Sequence, residues 1–181
     1  YGEQDYEKAA KYYEEAIRLA PDLDVAYHNL GITYSRQFSA GVDTDVFVEL
    51  RGAPGTSLSG FTLNGVNGNG GATYGTISLS GSIGSDGLFV VTRADASSAL
   101  AAVSDLQNNL VDYQNGPDSI QLRNAANTVV DAVGYGVFID AVFAGEGSAA
   151  PDTADDQSLA RNATGTDTNN NAADFSVSDA P

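Results

Sequence analysis

The first 37 residues carry apolar side chains at the spacing of an amphipathic helix. The steps between successive apolar positions are three and one, which place them on one helical face. Pro21 ends this first predicted helix, because the residue before a proline avoids the helical region. A second helix is predicted from there through about residue 36. The apolar positions of the first helix are Tyr6, Ala9, Ala10, Tyr13, Ala16, Ile17 and Ala20.

From residue 38 onward the pattern changes to short alternating runs separated by clusters of Gly, Asn, Ser and Asp. Alternation of apolar and polar residues is typical of half-buried strands, and about seven such runs predict a β-sandwich. The predicted strands are 45–50, 60–66, 73–79, 87–93, 118–124, 128–136 and 173–178. The Ala- and Leu-rich segment 96–110 is the exception, and it predicts one or two helical turns inside a connection.

The two patterns overlap in "GITYSRQF", residues 31–38. These residues continue the second helix, yet Ile32, Tyr34 and Phe38 also alternate with smaller or polar residues, as in a strand. We favour the helix through about residue 36. In that case the sandwich lacks its first strand, and the edge beside 45–50 is free to pair with another chain. The expected organisation is therefore a helical hairpin, 1–37, followed by a mainly β domain, 38–181.

Net charge narrows the range of partners. The chain has a formal charge of -16, and residues 38–181 hold four Arg, no Lys and seventeen acids, 4 - 17 = -13. Binding to nucleic acid depends on cationic side chains that neutralise phosphates, so this region is not expected to bind it. No apolar run reaches the roughly 20 residues of a membrane span. The chain begins with Tyr1 rather than Met, from which we expect a piece of a longer protein.

The predicted hairpin resembles the tetratricopeptide repeat. The matching positions are Tyr27, Leu30, Gly31 and Tyr34, preceded by Ala9, Tyr13, Ala16 and Pro21. They cover the second helix of one repeat and the first helix of the next. The resemblance implies peptide binding on a concave face, where Asn29 would hydrogen-bond a peptide backbone.

The remainder of the chain, about 43–181, resembles the lamin tail domain family of secreted bacterial proteins. Three stretches carry the resemblance: "DTDVFVELRGAPGTSLSGFTL", "GPDSIQLRNAANTVVDAVGYG" and the closing "DQSLARNATGTDTNNNAADFSVSDAP". The resemblance implies an immunoglobulin-like sandwich with a non-catalytic role in attachment or interaction. It also implies an extracellular, periplasmic or cell-surface location.

Clustered aspartates are candidates for calcium binding, because Ca²⁺ accepts six to eight oxygen ligands in flexible loops. The candidate site is Asp152, Asp155 and Asp156, which lie together in one predicted loop. Further aspartates stand at Asp43, Asp45, Asp167 and Asp174. The alternative is that these carboxylates are solvated, cap turns, or pair with Arg51 and Arg161.

Catalytic chemistry is not indicated by the residues present. His28 is the only histidine and the chain has no cysteine, so a second histidine for acid–base work and thiolate nucleophiles are lacking. Glu49 and Arg161 are expected to have structural roles. Tyr113, Tyr135 and Phe138 fit either a surface patch or the core.

The leading functional prediction is an interaction or attachment module that binds a protein partner. The apolar segment 137–147 is a candidate partner surface. One alternative is an accessory domain of a secreted hydrolase or nuclease. The other is peptide binding by the helical repeat.

Overall fold

A computed structural model of the chain describes residues 31–36, 44–114, 116–154, 157–162 and 164–178. These residues form ten strands and two single helical turns. The strands are β1 Gly31–Arg36, β2 Phe47–Arg51, β3 Thr62–Asn67, β4 Thr73–Ser78, β5 Leu88–Thr92, β6 Leu106–Gln107, β7 Asp118–Arg123, β8 Val129–Tyr135, β9 Gln157–Arg161 and β10 Phe175–Ser178. The helical turns are Ser98–Ala101 and Asn171–Asp174, and neither is long enough to cross a membrane.

The strands form two sheets that share one hydrophobic core. One sheet has the order β10-β9-β1-β2-β5-β6 and the other β4-β3-β7-β8. Neighbouring strands pair antiparallel except β5 and β6, which pair in parallel among the strands described. Val48 and Leu50 of β2 belong to the same buried cluster as Leu63 of β3 and Val133 of β8. Two mainly antiparallel sheets with a common core are the arrangement of a β-sandwich. The predicted mainly β class is therefore confirmed.

Residues 31–36 form an inner strand of the larger sheet, so the preferred prediction of a helix through residue 36 is wrong there. In the backbone register, Gly31 pairs with Arg51 and Ser35 with Phe47 of β2, and Tyr34 pairs with Leu159 of β9. Local sequence fits both conformations, and the ladders to β2 and β9 decide between them. The predicted free edge beside 45–50 is also wrong, because β2 lies between β1 and β5. The rest of the predicted hairpin, including Asn29, lies outside the described residues.

The other strands predicted from alternation are observed to within a few residues. The segment 96–110 contains the expected helical turn, Ser98–Ala101, whose preceding Ser97 side chain accepts a hydrogen bond from the Leu100 amide. It also contains the short strand β6, which the sequence did not predict. The sequence also did not predict strand β9, which lies between β10 and β1 in the six-stranded sheet.

Candidate functional site

Four carboxylates surround one arginine where the two sheets meet. Arg161 ends β9 of the six-stranded sheet, and Asp131 lies in β8 of the four-stranded sheet. Asp174 closes the helical turn before β10, and Asp167 lies in the connection that leads to that turn. Glu146 belongs to the segment 136–149 between β8 and β9, here called the β8–β9 loop. These five residues, here called the Arg161 cluster, come from β8, the β8–β9 loop and the closing stretch from Arg161 to Asp174.

The guanidinium of Arg161 is shared among three of these carboxylates. Nη2 donates to Asp131 Oδ1 at 2.8 Å, and Nη1 lies 3.3 Å from both Asp167 Oδ1 and Asp174 Oδ2. The guanidinium also lies 4.5 Å from the centre of the Phe175 ring, in cation–π contact. The side chains of Arg161 and Asp131 are 3% and 1% exposed, so water screens this ion pair very little.

Asp174 is held in its ionised form by local hydrogen bonds. Burial acts to raise its pKa, but donation from the Thr168 hydroxyl and from the Thr168 and Asn170 amides lowers the pKa overall. The shortest of these contacts is 2.6 Å, from Thr168 Oγ1 to Asp174 Oδ1. Asp174 therefore has a structural role, because its hydrogen bonds to Thr168 and Asn170 fix the connection that leads to β10.

The pKa values of Asp131 and Glu146 are raised, in contrast to that of Asp174. Burial raises the pKa of Asp131 to about 8, against the lowering effect of Arg161 and with a further rise from Glu146. Burial, followed by the charge of Asp167, raises the pKa of Glu146 to about 7. Asp131 Oδ2 and Glu146 Oε2 are buried without a hydrogen-bond partner among the described residues. Asp131, Glu146 and Asp167 each place one carboxylate oxygen within 4.8 Å of the others.

Asn171 fixes the β8–β9 loop to β8 beside this cluster. Its Oδ1 accepts from the amides of Gly134 and Glu146, both at 2.8 Å, and its Nδ2 donates to the Ala132 carbonyl at 2.7 Å. The side chain is fully buried. One amide side chain thus satisfies three buried backbone groups from two segments, which accounts for an asparagine at this position.

Further contacts hold the rest of the loop against the four-stranded sheet. The Val142 amide donates to the Gly68 carbonyl at 2.8 Å, and the Gln121 side chain donates to the Ala144 carbonyl at 2.8 Å. The Phe143 ring lies so close to Gly134 that a Cβ there would be 2.3 Å from it. The loop has no regular secondary structure, but its path is defined by packing and hydrogen bonds.

The outer side of the same loop presents apolar side chains to solvent. Val137 is 67% exposed, Ile139 77% and Val142 45%. Phe138 and Phe143 of the same loop are partly buried and make an edge-to-face contact with ring centres 5.0 Å apart. Exposed apolar side chains grouped on an ordered segment are characteristic of interaction surfaces.

Some of the aspartates predicted as calcium ligands lie within the described residues and others do not. Asp152 is exposed, and its Oδ1 accepts a hydrogen bond from the Thr153 amide at 3.1 Å. Asp155 and Asp156 lie outside the described residues, so the calcium site predicted at 152–156 stays a prediction. Asp45 accepts from the Ser97 amide at 2.6 Å. Asp43, like Asn29, falls outside the described residues.

Other predicted roles can be assigned. Asp167 and Asp174 pair with Arg161, as the alternative to calcium binding anticipated. Tyr113 and Tyr135 belong to the hydrophobic core rather than to a surface patch. Glu49 is half-buried, and burial together with the nearby charge of Asp86 raises its pKa.

Asp131 and Glu146 were not singled out from the sequence as site residues. A usable signal was present for Asp131, which interrupts the apolar run "TVVDAVGY" of a predicted strand, where aspartate is rare. Nothing in the local sequence places Glu146 beside it, because that contact depends on the path of the β8–β9 loop.

Comparison with protein-family models, with curated proteins and with solved structures found no match to this chain.

Proposed function

We propose that this chain is a non-catalytic interaction module that binds a protein partner through the β8–β9 loop. The observation that carries the proposal is the exposure of Val137, Ile139 and Val142 on a loop that is itself firmly anchored. An ordered loop loses little conformational entropy on binding, so its apolar side chains contribute more of their burial energy to affinity.

The negative charge of this chain indicates the chemistry of the surface that the proposed partner presents. The chain carries a net charge of -16. In the loop itself, Asp140 directly follows Ile139 and is exposed to solvent. Opposite charges around an interface speed association and favour one partner over others. The proposed partner therefore presents an apolar centre with basic side chains around it.

The proposal extends to the type of fold. The two-sheet architecture and the closing segment around Arg161 support an immunoglobulin-like sandwich of the lamin-tail type, which would place the protein outside the cytoplasm. A module of this kind would attach a larger bacterial protein to its surroundings.

Site-specific photocrosslinking tests the interaction. A photoreactive residue at position 139 is compared with one at position 103, because Val103 is equally apolar and 62% exposed but lies in the connection after β5. The expected result is a discrete protein adduct from position 139 alone. The purified adduct partner is then titrated against wild type, Ile139→Ser and Val103→Ser.

Loss of binding in Ile139→Ser, with Val103→Ser unchanged, supports the proposed surface. Equal crosslinking from both positions, or full binding by Ile139→Ser, overturns it. Thermal unfolding of both variants checks that the fold is retained, as expected for side chains that are exposed.

A further inference from the structure

The Arg161 cluster has more negative charge than its arginine can balance. Asp131, Glu146, Asp167 and Asp174 bring four carboxylates around one guanidinium, so full ionisation leaves 1 - 4 = -3 in a largely buried region. Like charges at such distances destabilise a fold unless protons or cations neutralise them. The carboxylate of Asp174 already accepts hydrogen bonds from Thr168 and Asn170, which stabilise its negative charge. The negative charges of the other three carboxylates remain to be balanced.

The three remaining carboxylates are arranged around a common point. Asp131, Glu146 and Asp167 offer one oxygen each, all within 4.8 Å of one another. Ca²⁺ binds oxygens at about 2.4 Å, so oxygens on opposite sides of it lie about 4.8 Å apart. Each pair of these carboxylates therefore lies within the span that one such ion bridges.

A second, independent observation points to a ligand. Asp131 is completely buried, and its Oδ2 has no hydrogen-bond partner among the residues that the structure describes. Glu146 is only partly buried as a residue, but its Oε2 atom is likewise buried without a hydrogen-bond partner among the described residues. Buried carboxylate oxygens are normally satisfied, and each exception requires an explanation. Arg161 donates to Oδ1 of Asp131 and so fixes the orientation of this side chain. Oδ2 is the oxygen that remains without a partner among the described residues.

We propose that Asp131, Glu146 and Asp167 bind one divalent cation with a preference for oxygen ligands, Ca²⁺ being the best fit. The ion joins β8, the β8–β9 loop and the connection before Asn171–Asp174. Its charge of +2 would reduce the excess of -3 to -1. Arg161 has a positioning role, since it holds Asp131 and Asp167 without touching the ion. The site is separate from the predicted one at Asp152, Asp155 and Asp156, and it stands whether or not the loop binds a partner.

Isothermal titration calorimetry of the chelator-treated full chain with CaCl₂ tests the site, with MgCl₂ as comparison. The expected result is one Ca²⁺ per chain and an increase in thermal stability. Glu146→Gln removes one negative charge from the site and is expected to weaken binding by about ten-fold or more. Asp167→Asn provides a second test, because its amide oxygen can still accept the Asn169 amide hydrogen bond that Asp167 Oδ1 now accepts at 2.9 Å.

Asp140→Asn is the matched control, because it removes the same charge from an exposed position of the same loop. Its affinity for Ca²⁺ is expected to equal that of wild type. The triple variant Asp152→Asn/Asp155→Asn/Asp156→Asn is also expected to retain the one-to-one site. Absence of Ca²⁺ binding by the folded protein would mean that protons balance the cluster and would overturn the proposal. Binding that persists unchanged in Glu146→Gln and Asp167→Asn would overturn it too.

Discussion

Arg161 donates a hydrogen bond to Asp131 across the two sheets, with 2.8 Å between Nη2 and Oδ1 and both side chains buried. The ion pair links the end of β9 to the middle of β8. The same guanidinium reaches Asp167 and Asp174, so it also fixes the connection before β10. The Arg161 side chain therefore connects two points of the closing segment, Asp167 and Asp174, to β8.

Loss of the arginine is expected to destabilise the protein strongly. Arg161→Ala leaves buried carboxylates without their cation, and breaking a buried ion pair in this way costs about 3–5 kcal/mol. Arg161→Lys keeps the charge but cannot reach three carboxylates with a planar fork, so an intermediate loss is expected. Urea unfolding measures both variants.

The control for this prediction is Asp112→Asn. Asp112 pairs with Arg93 at 3.2 Å, but its side chain is 66% exposed, so its removal is expected to matter little. If Arg161→Ala destabilised the protein no more than Asp112→Asn does, the structural role of the buried pair would be refuted.

Asn171 provides a second stability prediction. Asn171→Ala leaves the Gly134 and Glu146 amides and the Ala132 carbonyl without their partner. Each buried polar group left unsatisfied costs about 1–3 kcal/mol, so a total loss of about 3 kcal/mol or more is expected. Asn170→Ala is the neighbouring control, because the Asn170 side chain accepts one longer bond of 3.2 Å, from the exposed Ser148 amide, and its backbone bonds are kept in the variant. Similar stabilities of the two variants in urea would contradict this assignment.

The pH dependence of stability is expected to report on Glu49. Burial of this side chain in the middle of β2, together with the charge of Asp86, raises its folded-state pKa above 4.5, against the opposing effect of Arg51. The folded state therefore favours the protonated acid. Its stabilising contribution is complete below the unfolded-state pKa and is lost as pH rises through the folded-state pKa.

Glu49→Gln removes this ionisation with little change of shape. Relative to wild type, the variant is expected to gain stability as the pH is raised from about 4 toward neutrality. Chemical unfolding at a series of pH values measures the difference. A stability difference that is constant over this range would show that Glu49 ionises equally in both states.

The fold was predictable from the sequence where local pattern was sufficient. Short apolar runs between turn clusters identified seven of the ten described strands, although β3 and β7 are buried along consecutive residues rather than on alternating ones. The same reasoning failed for Gly31–Arg36, where helical and alternating patterns coincide and pairing with β2 and β9 decides the outcome. It also failed for β9, whose short run "QSLAR" mixes polar and apolar residues.

The candidate site was predictable only in part. Arg161 was expected to anchor the last loop, and Asp167 and Asp174 were named as candidates to pair with it. Asp131 and Glu146 lie fifteen residues apart in sequence, 146 - 131 = 15, and a loop without regular structure brings them together. Their contact follows from Asn171 binding both segments, which is a relationship of the folded chain and not of any local pattern.

Amide hydrogen exchange in the β8–β9 loop tests most directly the central claim, that this loop is a fixed platform for a partner. The account predicts that the Val142 and Glu146 amides, which donate to Gly68 and Asn171, exchange as slowly as those in the paired strands β7 and β8. Exchange of both at the rate of an unstructured peptide would contradict the account, because the loop would then present Val137 and Ile139 without an ordered surface.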